Sequence, residues 1–228
     1  MTVEVLPGEE AVARRAADVI AEEARASVAA RGRFLLAMSG GATPRRMLQL
    51  LAKEDIPWPD VQLFQVDERV APAGSPDRNL TQLLENLVAR IELPPRQLHA
   101  MPVDEVDLES AANRYAATLR EVAGKPATLD LVHLGLGADG HTASLVPGDP
   151  ALEINDADVV MSIPYEGRRR MTLTLPALNR ARRVLWVITG AEKSGVLARL
   201  RRGDRSIPAG RVRSDRALIV TDTAASPS

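Results

Sequence analysis

Short apolar runs, continuous rather than alternating, recur along this chain at Phe34–Met38, Val61–Val66, Leu129–Leu134, Met171–Leu175, Val184–Thr189 and Ala217–Thr221. A strand with one wet face alternates apolar and polar residues, whereas an unbroken run belongs to a strand covered on both faces. Helical patterns fall between several of the runs, at Pro44–Leu51, Asn79–Arg90, Leu108–Val122 and Ala191–Leu200. Ahead of them, Val3–Leu6 reads as a first strand and an alanine-rich helix follows, which Gly32 is placed to end. The expected architecture is α/β: a three-layer αβα arrangement, with a mostly parallel Rossmann-like sheet and helices on both faces. No repeat or long linker divides the chain, so residues 1–228 are expected to form one domain.

Composition narrows the chemistry. A formal net charge of -1 argues against a nucleic-acid surface, and the absence of cysteine excludes disulfides and thiolate metal sites. No apolar run approaches the ~18–20 residues needed to cross a bilayer. Met1–Glu10 lacks the basic start and apolar stretch of a secretion signal, so a cytoplasmic address and no membrane contact are expected. Lys53, Lys125 and Lys193 are the only lysines among 29 cationic residues. A lysine kept where arginine is the rule suggests a need for its compact ammonium, and Lys193 is the one at a strand end.

In open parallel sheets ligands bind beyond the carboxyl ends of the strands. Four expected strands end in unusual chemistry. Met38-Ser39-Gly40-Gly41-Ala42-Thr43-Pro44 offers a glycine turn, with Thr43 as a plausible N-cap and Pro44 suited to the first helical turn. Free amides and the positive end of a helix dipole would there make an anion cradle. Asp67-Glu68-Arg69 follows the second run, and Asn79, just before the next helix, is either a cap or a group reaching the same region. Thr189-Gly190-Ala191-Glu192-Lys193 places a cation in a first helical turn, against the dipole preference, a conflict that a bound anion relieves. One of Arg168, Arg169 and Arg170 is expected to join that anion.

The fourth end, Gly135-Leu136-Gly137-Ala138-Asp139-Gly140-His141, matches the G-x-G-x-x-G pattern of dinucleotide sites. That pattern requires a full helix after the glycines, and Pro147-Gly148-Asp149-Pro150 interrupts the chain too soon. His133 lies within the apolar run and reads as a satisfied core residue. His141, close to Asp139, is the candidate general base. His99, His133 and His141 share no metal-ligand spacing, and no metal is expected. An anion cradle, two cations, hydroxyl-binding groups and a base suit a small phosphorylated sugar handled by acid/base chemistry without a cofactor.

These four strand-end segments, with Arg170-Met171-Thr172-Leu173-Thr174-Leu175-Pro176-Ala177-Leu178-Asn179, resemble the family of 6-phosphogluconolactonases and glucosamine-6-phosphate isomerases over nearly the whole chain. The resemblance implies hydrolysis of 6-phospho-D-glucono-1,5-lactone in the oxidative pentose phosphate pathway, with no required cofactor. It assigns His141 as base and sets Asp67 and Arg69 at the substrate-facing loop; the mechanism expected from this has Asp139 or Asp67 orient the imidazole, with backbone amides around Gly137–Gly140, or Arg69, as oxyanion donors. Arg170, Lys193 and the Ser39, Gly40, Gly41 and Thr43 loop bind phosphate, and Asn79 faces the substrate. Isomerases of the family carry a glutamate in the loop after the histidine and a tyrosine where this chain has Arg69; here Thr142-Ala143-Ser144-Leu145-Val146-Pro147 has no acid. The alternatives are an amino-sugar-phosphate isomerase or a non-catalytic sugar-phosphate sensor. A monomer acting on a small molecule is expected.

Overall fold

The computed structural model describes residues 1–226, and of Ala42 and Thr43 the backbone alone. Seven strands pair in parallel: β1 (Thr2–Leu6), β2 (Phe34–Met38), β3 (Val61–Gln65), β5 (Leu98–His99), β6 (Leu131–Leu134), β9 (Arg183–Ile188) and β10 (Ala217–Asp222). Their spatial order is β1-β10-β9-β6-β2-β3-β5. The apolar runs are continuous because each strand feeds two cores. Phe34, Leu36 and Met38 of β2 enter one core with helices α1 (Glu9–Arg31), α2 (Ala42–Leu51) and α3 (Asn79–Asn86). Leu35 and Ala37 enter the other, with α4 (Leu108–Ala123), α5 (Leu175–Asn179) and α6 (Ser194–Arg201). Trp186 and Leu185 divide in the same way on β9. Gly32 ends α1 in the left-handed conformation, φ 70°.

The run at Met171–Leu175 does not join the parallel sheet. It belongs to β8 (Arg168–Leu173), central in an antiparallel sheet of order β4-β8-β7 with β4 (Asp67–Arg69) and β7 (Val159–Tyr165). Leu175 instead opens α5, where Thr174 accepts a hydrogen bond from the Ala177 amide and Pro176 occupies the first turn. The small sheet is tied to the large one where β3 ends: Val66 N–H donates to the Met38 carbonyl at 2.9 Å, and Leu173 N–H to the Val66 carbonyl at 2.8 Å. It therefore stands over the carboxyl ends of the parallel strands.

Two helix starts differ from expectation. Gly41, not Thr43, is the N-cap of α2; its φ of 129° lets the chain enter the helix at Ala42. The side chain of Thr43 lies outside the described residues. Arg78, not Asn79, caps α3, leaving Asn79 as the first helical residue. Among the described residues no helix is long and apolar enough to cross a membrane.

Candidate active site

Strand order reverses at β2: β3 lies on one side of it and β6 on the other. Crevices at such switch points are the usual ligand sites of open α/β sheets. Here the crevice is a cavity of about 420 Å³, lined by Ser39, Gly40 and Gly41 after β2, Asp67 and Arg69 of β4, and Asn79 of α3. Gly137 and His141 after β6, Arg170 of β8, and Thr189 and Lys193 after β9 complete the wall. Segments scattered through the chain thus converge on one space.

After β6 the chain turns without forming a helix, as the prolines require. Gly140 N–H donates to the Gly137 carbonyl, and Gly137 N–H to the His141 carbonyl, at 3.0 and 2.9 Å. These bonds occupy the Gly137 and Gly140 amides, two of the expected oxyanion donors. The imidazole of His141 folds back over Gly137 so closely that a Cβ at that position would collide with Nδ1. Asp139 Oδ1 accepts from the His141 backbone N–H at 3.0 Å and sits 2.6 Å from Nδ1. Desolvation pushes the Asp139 carboxyl up, but the hydrogen bonds and charge of His141 outweigh it and hold the group below its ordinary range. Asp139, not Asp67, is the carboxylate against the imidazole; with Nδ1 committed there, Nε2 is the nitrogen left for a reacting group.

Asp67 has a different task. Its carboxylate accepts from Ser39 Oγ at 3.2 Å and Ser144 Oγ at 2.7 Å, joining the loops after β2 and β6. Glu68, fully buried, receives the Arg69 and Asn79 amides on Oε1, at 2.7 and 2.8 Å. Its Oε2 takes the Leu80 amide and Gln65 Nε2, each at 2.8 Å. The carboxylate thereby satisfies the first free amides of α3 and favours the positive end of its dipole. Arg78 lies buried beside it, with Nη1 2.6 Å from Asp104 Oδ1. Asn79 Nδ2 donates to the Asp67 carbonyl at 2.9 Å, while its Oδ1 presses against Gly40, where a Cβ would not fit. So Asp67-Glu68-Arg69 is a short strand with both acids buried and Arg69 half-buried.

Three arginines enter β8, and strand alternation turns Arg169 away from the face that Arg168 and Arg170 share. Arg169 pairs with Glu109, and Arg168, half-exposed at the strand's start, pairs with Asp77. Arg170 turns inward, 4% exposed, toward the cavity. Lys193 closes a 3-10 turn (Ala191–Lys193) at the head of α6, and its half-buried side chain lines the same wall. Arg69 lines the cavity while its Nη1 donates to the Asp77 carbonyl at 2.9 Å.

The three histidines occupy separate environments. His99 stacks on Phe64 and reaches Gln62 Oε1 at 2.7 Å. His133 is fully buried as expected, yet neither ring nitrogen has a well-formed hydrogen bond among the described residues. Burial pulls its pKa down to about 4, the Ser39 backbone opposing, so the ring is neutral.

Two contributors carry little signal in the sequence. Ser144 is hidden among small residues, and its partner Asp67 lies 77 positions away. Tyr165 sits outside every strand-end motif; the only hint is that aromatic residues are rare in this chain, with two tyrosines in all.

Fold and pocket thus define an α/β protein in which an aspartate-backed histidine and three cations, Arg69, Arg170 and Lys193, line one crevice. The family model of glucosamine-6-phosphate isomerases/6-phosphogluconolactonase matches residues 7–220, and the chain belongs to that family. It is 34% identical to a 6-phosphogluconolactonase of Nostoc sp. over 87% of this chain and 84% of the relative. It is 35% identical to a 6-phosphogluconolactonase of Synechocystis sp. at the same coverage. A crystal structure of 6-phosphogluconolactonase from Thermotoga maritima superimposes with a TM-score of 0.87 at 26% identity, covering 97% of this chain and 98% of that one.

Proposed function

We propose that this enzyme hydrolyses 6-phospho-D-glucono-1,5-lactone to 6-phospho-D-gluconate, the second step of the oxidative pentose phosphate pathway, with His141 as general base. The observation that carries the reading is that His141, backed by Asp139, lines the same cavity as Arg170 and Lys193. The substrate's phosphate docks on Arg170, Lys193 and the Ser39–Gly41 loop at the head of α2, where cations and a helix dipole favour a dianion. That docking brings the lactone carbonyl to Nε2 of His141. Nε2 takes a proton from water as the water oxygen bonds to C1, and the carbonyl electrons move onto its oxygen. Arg69, a cation that lines the cavity, is the side-chain donor suited to that oxyanion. The intermediate collapses, the C1–ring-oxygen bond breaks, and Nε2 returns its proton to the departing oxygen. Asp139 stabilises the imidazolium in between.

The test is the disappearance of phosphorylated lactone measured against its spontaneous hydrolysis, alongside ammonia release from glucosamine 6-phosphate. Catalysed lactone loss without ammonia is the expected result. Ammonia release would favour the isomerase, and binding of phosphorylated sugar without turnover would favour a sensor.

A further inference from the structure

Tyr165 ends β7, one residue before a turn in which Glu166 and Gly167 both have positive φ, 51° and 77°. The β7–β8 pairing shifts register between Ser162 and Tyr165, and such irregularities re-aim the side chains beyond them. The phenol is thereby turned toward both halves of the site. Its hydroxyl donates to Asp139 Oδ2 at 3.3 Å, a long contact on the oxygen that His141 Nδ1 does not use. Its ring meets the His141 imidazole edge-on, with centroids 5.2 Å apart and planes at 61°. On the same ring lies the guanidinium of Arg170, its Cζ 4.9 Å from the centroid. Arg170 Nη2 also donates to the Tyr165 carbonyl at 3.4 Å and to Glu166 at 2.8 Å. Desolvation and the Asp139 and Glu166 carboxylates hold the phenol above its ordinary pKa, so it keeps the proton it donates.

We propose that Tyr165 is a positioning residue that joins the base to the anion site, holding Asp139 against His141 with its hydroxyl and supporting Arg170 with its ring. The inference rests on the reading of His141 as base and Arg170 as phosphate ligand. The two contacts are separable by substitution. Tyr165→Phe keeps the ring and removes the hydroxyl; Tyr165→Leu removes both.

The experiment measures kcat, KM and the pH profile of lactone hydrolysis, with 6-phosphogluconate affinity by calorimetry, for both variants, the unaltered enzyme and His141→Ala. In Tyr165→Phe, kcat falls about two- to tenfold, the worth of one modest hydrogen bond, and 6-phosphogluconate affinity is unchanged. The acid limb of its kcat/KM profile moves to higher pH, because an Asp139 freed of the phenol holds the imidazolium proton more tightly. In Tyr165→Leu, affinity for 6-phosphogluconate also weakens, by about two- to thirtyfold, as the cation loses its aromatic face. A Tyr165→Phe enzyme with unaltered kcat and an unmoved acid limb overturns the inference, as does a folded Tyr165→Leu enzyme with full affinity. Failure of the underlying reading shows elsewhere, as normal turnover in His141→Ala.

Discussion

His141 Nδ1 lies 2.6 Å from Asp139 Oδ1, and the same ring rests against Gly137. The imidazole is thus fixed from two sides, by a carboxylate two residues behind it in the chain and by a position with room for no side chain. Replacing Asp139 with Asn keeps the shape and removes the charge that favours Nδ1–H. Turnover should fall by about ten- to a hundredfold, short of the ~10²–10⁴-fold a positioned base contributes, with 6-phosphogluconate affinity unchanged. Steady-state kinetics and calorimetry on the same preparation check both halves.

Gly137→Ala should be as damaging as loss of the histidine itself. The new methyl would occupy the place of Nδ1, and the ring would swing away from the cavity. The far-UV circular dichroism spectrum should match that of the unaltered protein while turnover is lost. Retained turnover would mean that the imidazole works from another position.

Removing Lys193 should weaken phosphate recognition and spare the chemistry. Lys193→Gln is expected to raise KM for the phosphorylated lactone by about ten- to a hundredfold, the worth of a charge-assisted hydrogen bond, with a smaller change in kcat. An unphosphorylated lactone should be hydrolysed equally by both enzymes. Equal loss for the two substrates would count against a phosphate role.

Glu68→Gln exchanges an acceptor-only group for one that presents an amide to surrounding donors. At a fully buried site the mismatch should cost about 1–3 kcal/mol of unfolding free energy, measurable in urea. The head of α3 and Asn79 should loosen with it, seen as faster amide exchange at Asn79 and Leu80.

Stability should decline in mild acid because of His133. Its folded pKa, about 4, lies below the ordinary histidine value of 6.5. Between these values the unfolded chain binds a proton that the folded chain refuses, so stability is full above pH 6.5 and is lost as pH falls toward 4. The loss from this residue is roughly 3 kcal/mol at most. His99, lowered by burial, adds in the same direction. Thermal unfolding from pH 7 to 4.5 should show a shallower decline in His133→Leu.

The parallel sheet is legible in the sequence because unbroken apolar runs such as Phe34–Met38 and Val184–Thr189 are too short for buried helices and too apolar for surface strands. The loops after β2, β6 and β9 are legible because glycines and charges break those runs abruptly. Of the small sheet only the apolar run of its central strand β8 is legible. Its strand β4 consists of three charged residues, and charges read as solvated until their partners are known. Glu68 is buried only because α3 delivers its free amides there. Likewise, Pro164 and the register shift hide β7, and with it Tyr165, from any pattern of period two. Only the fold separates Asp139 from Asp67, since Asp67 is drawn away by hydroxyls from two distant loops.

The most direct measurement is lactone turnover above the spontaneous rate in His141→Ala, with 6-phosphogluconate affinity determined on the same sample. A fall of about 10²–10⁴-fold in kcat at unchanged affinity is the expected result. Turnover equal to that of the unaltered enzyme would contradict the assignment of His141 as the base.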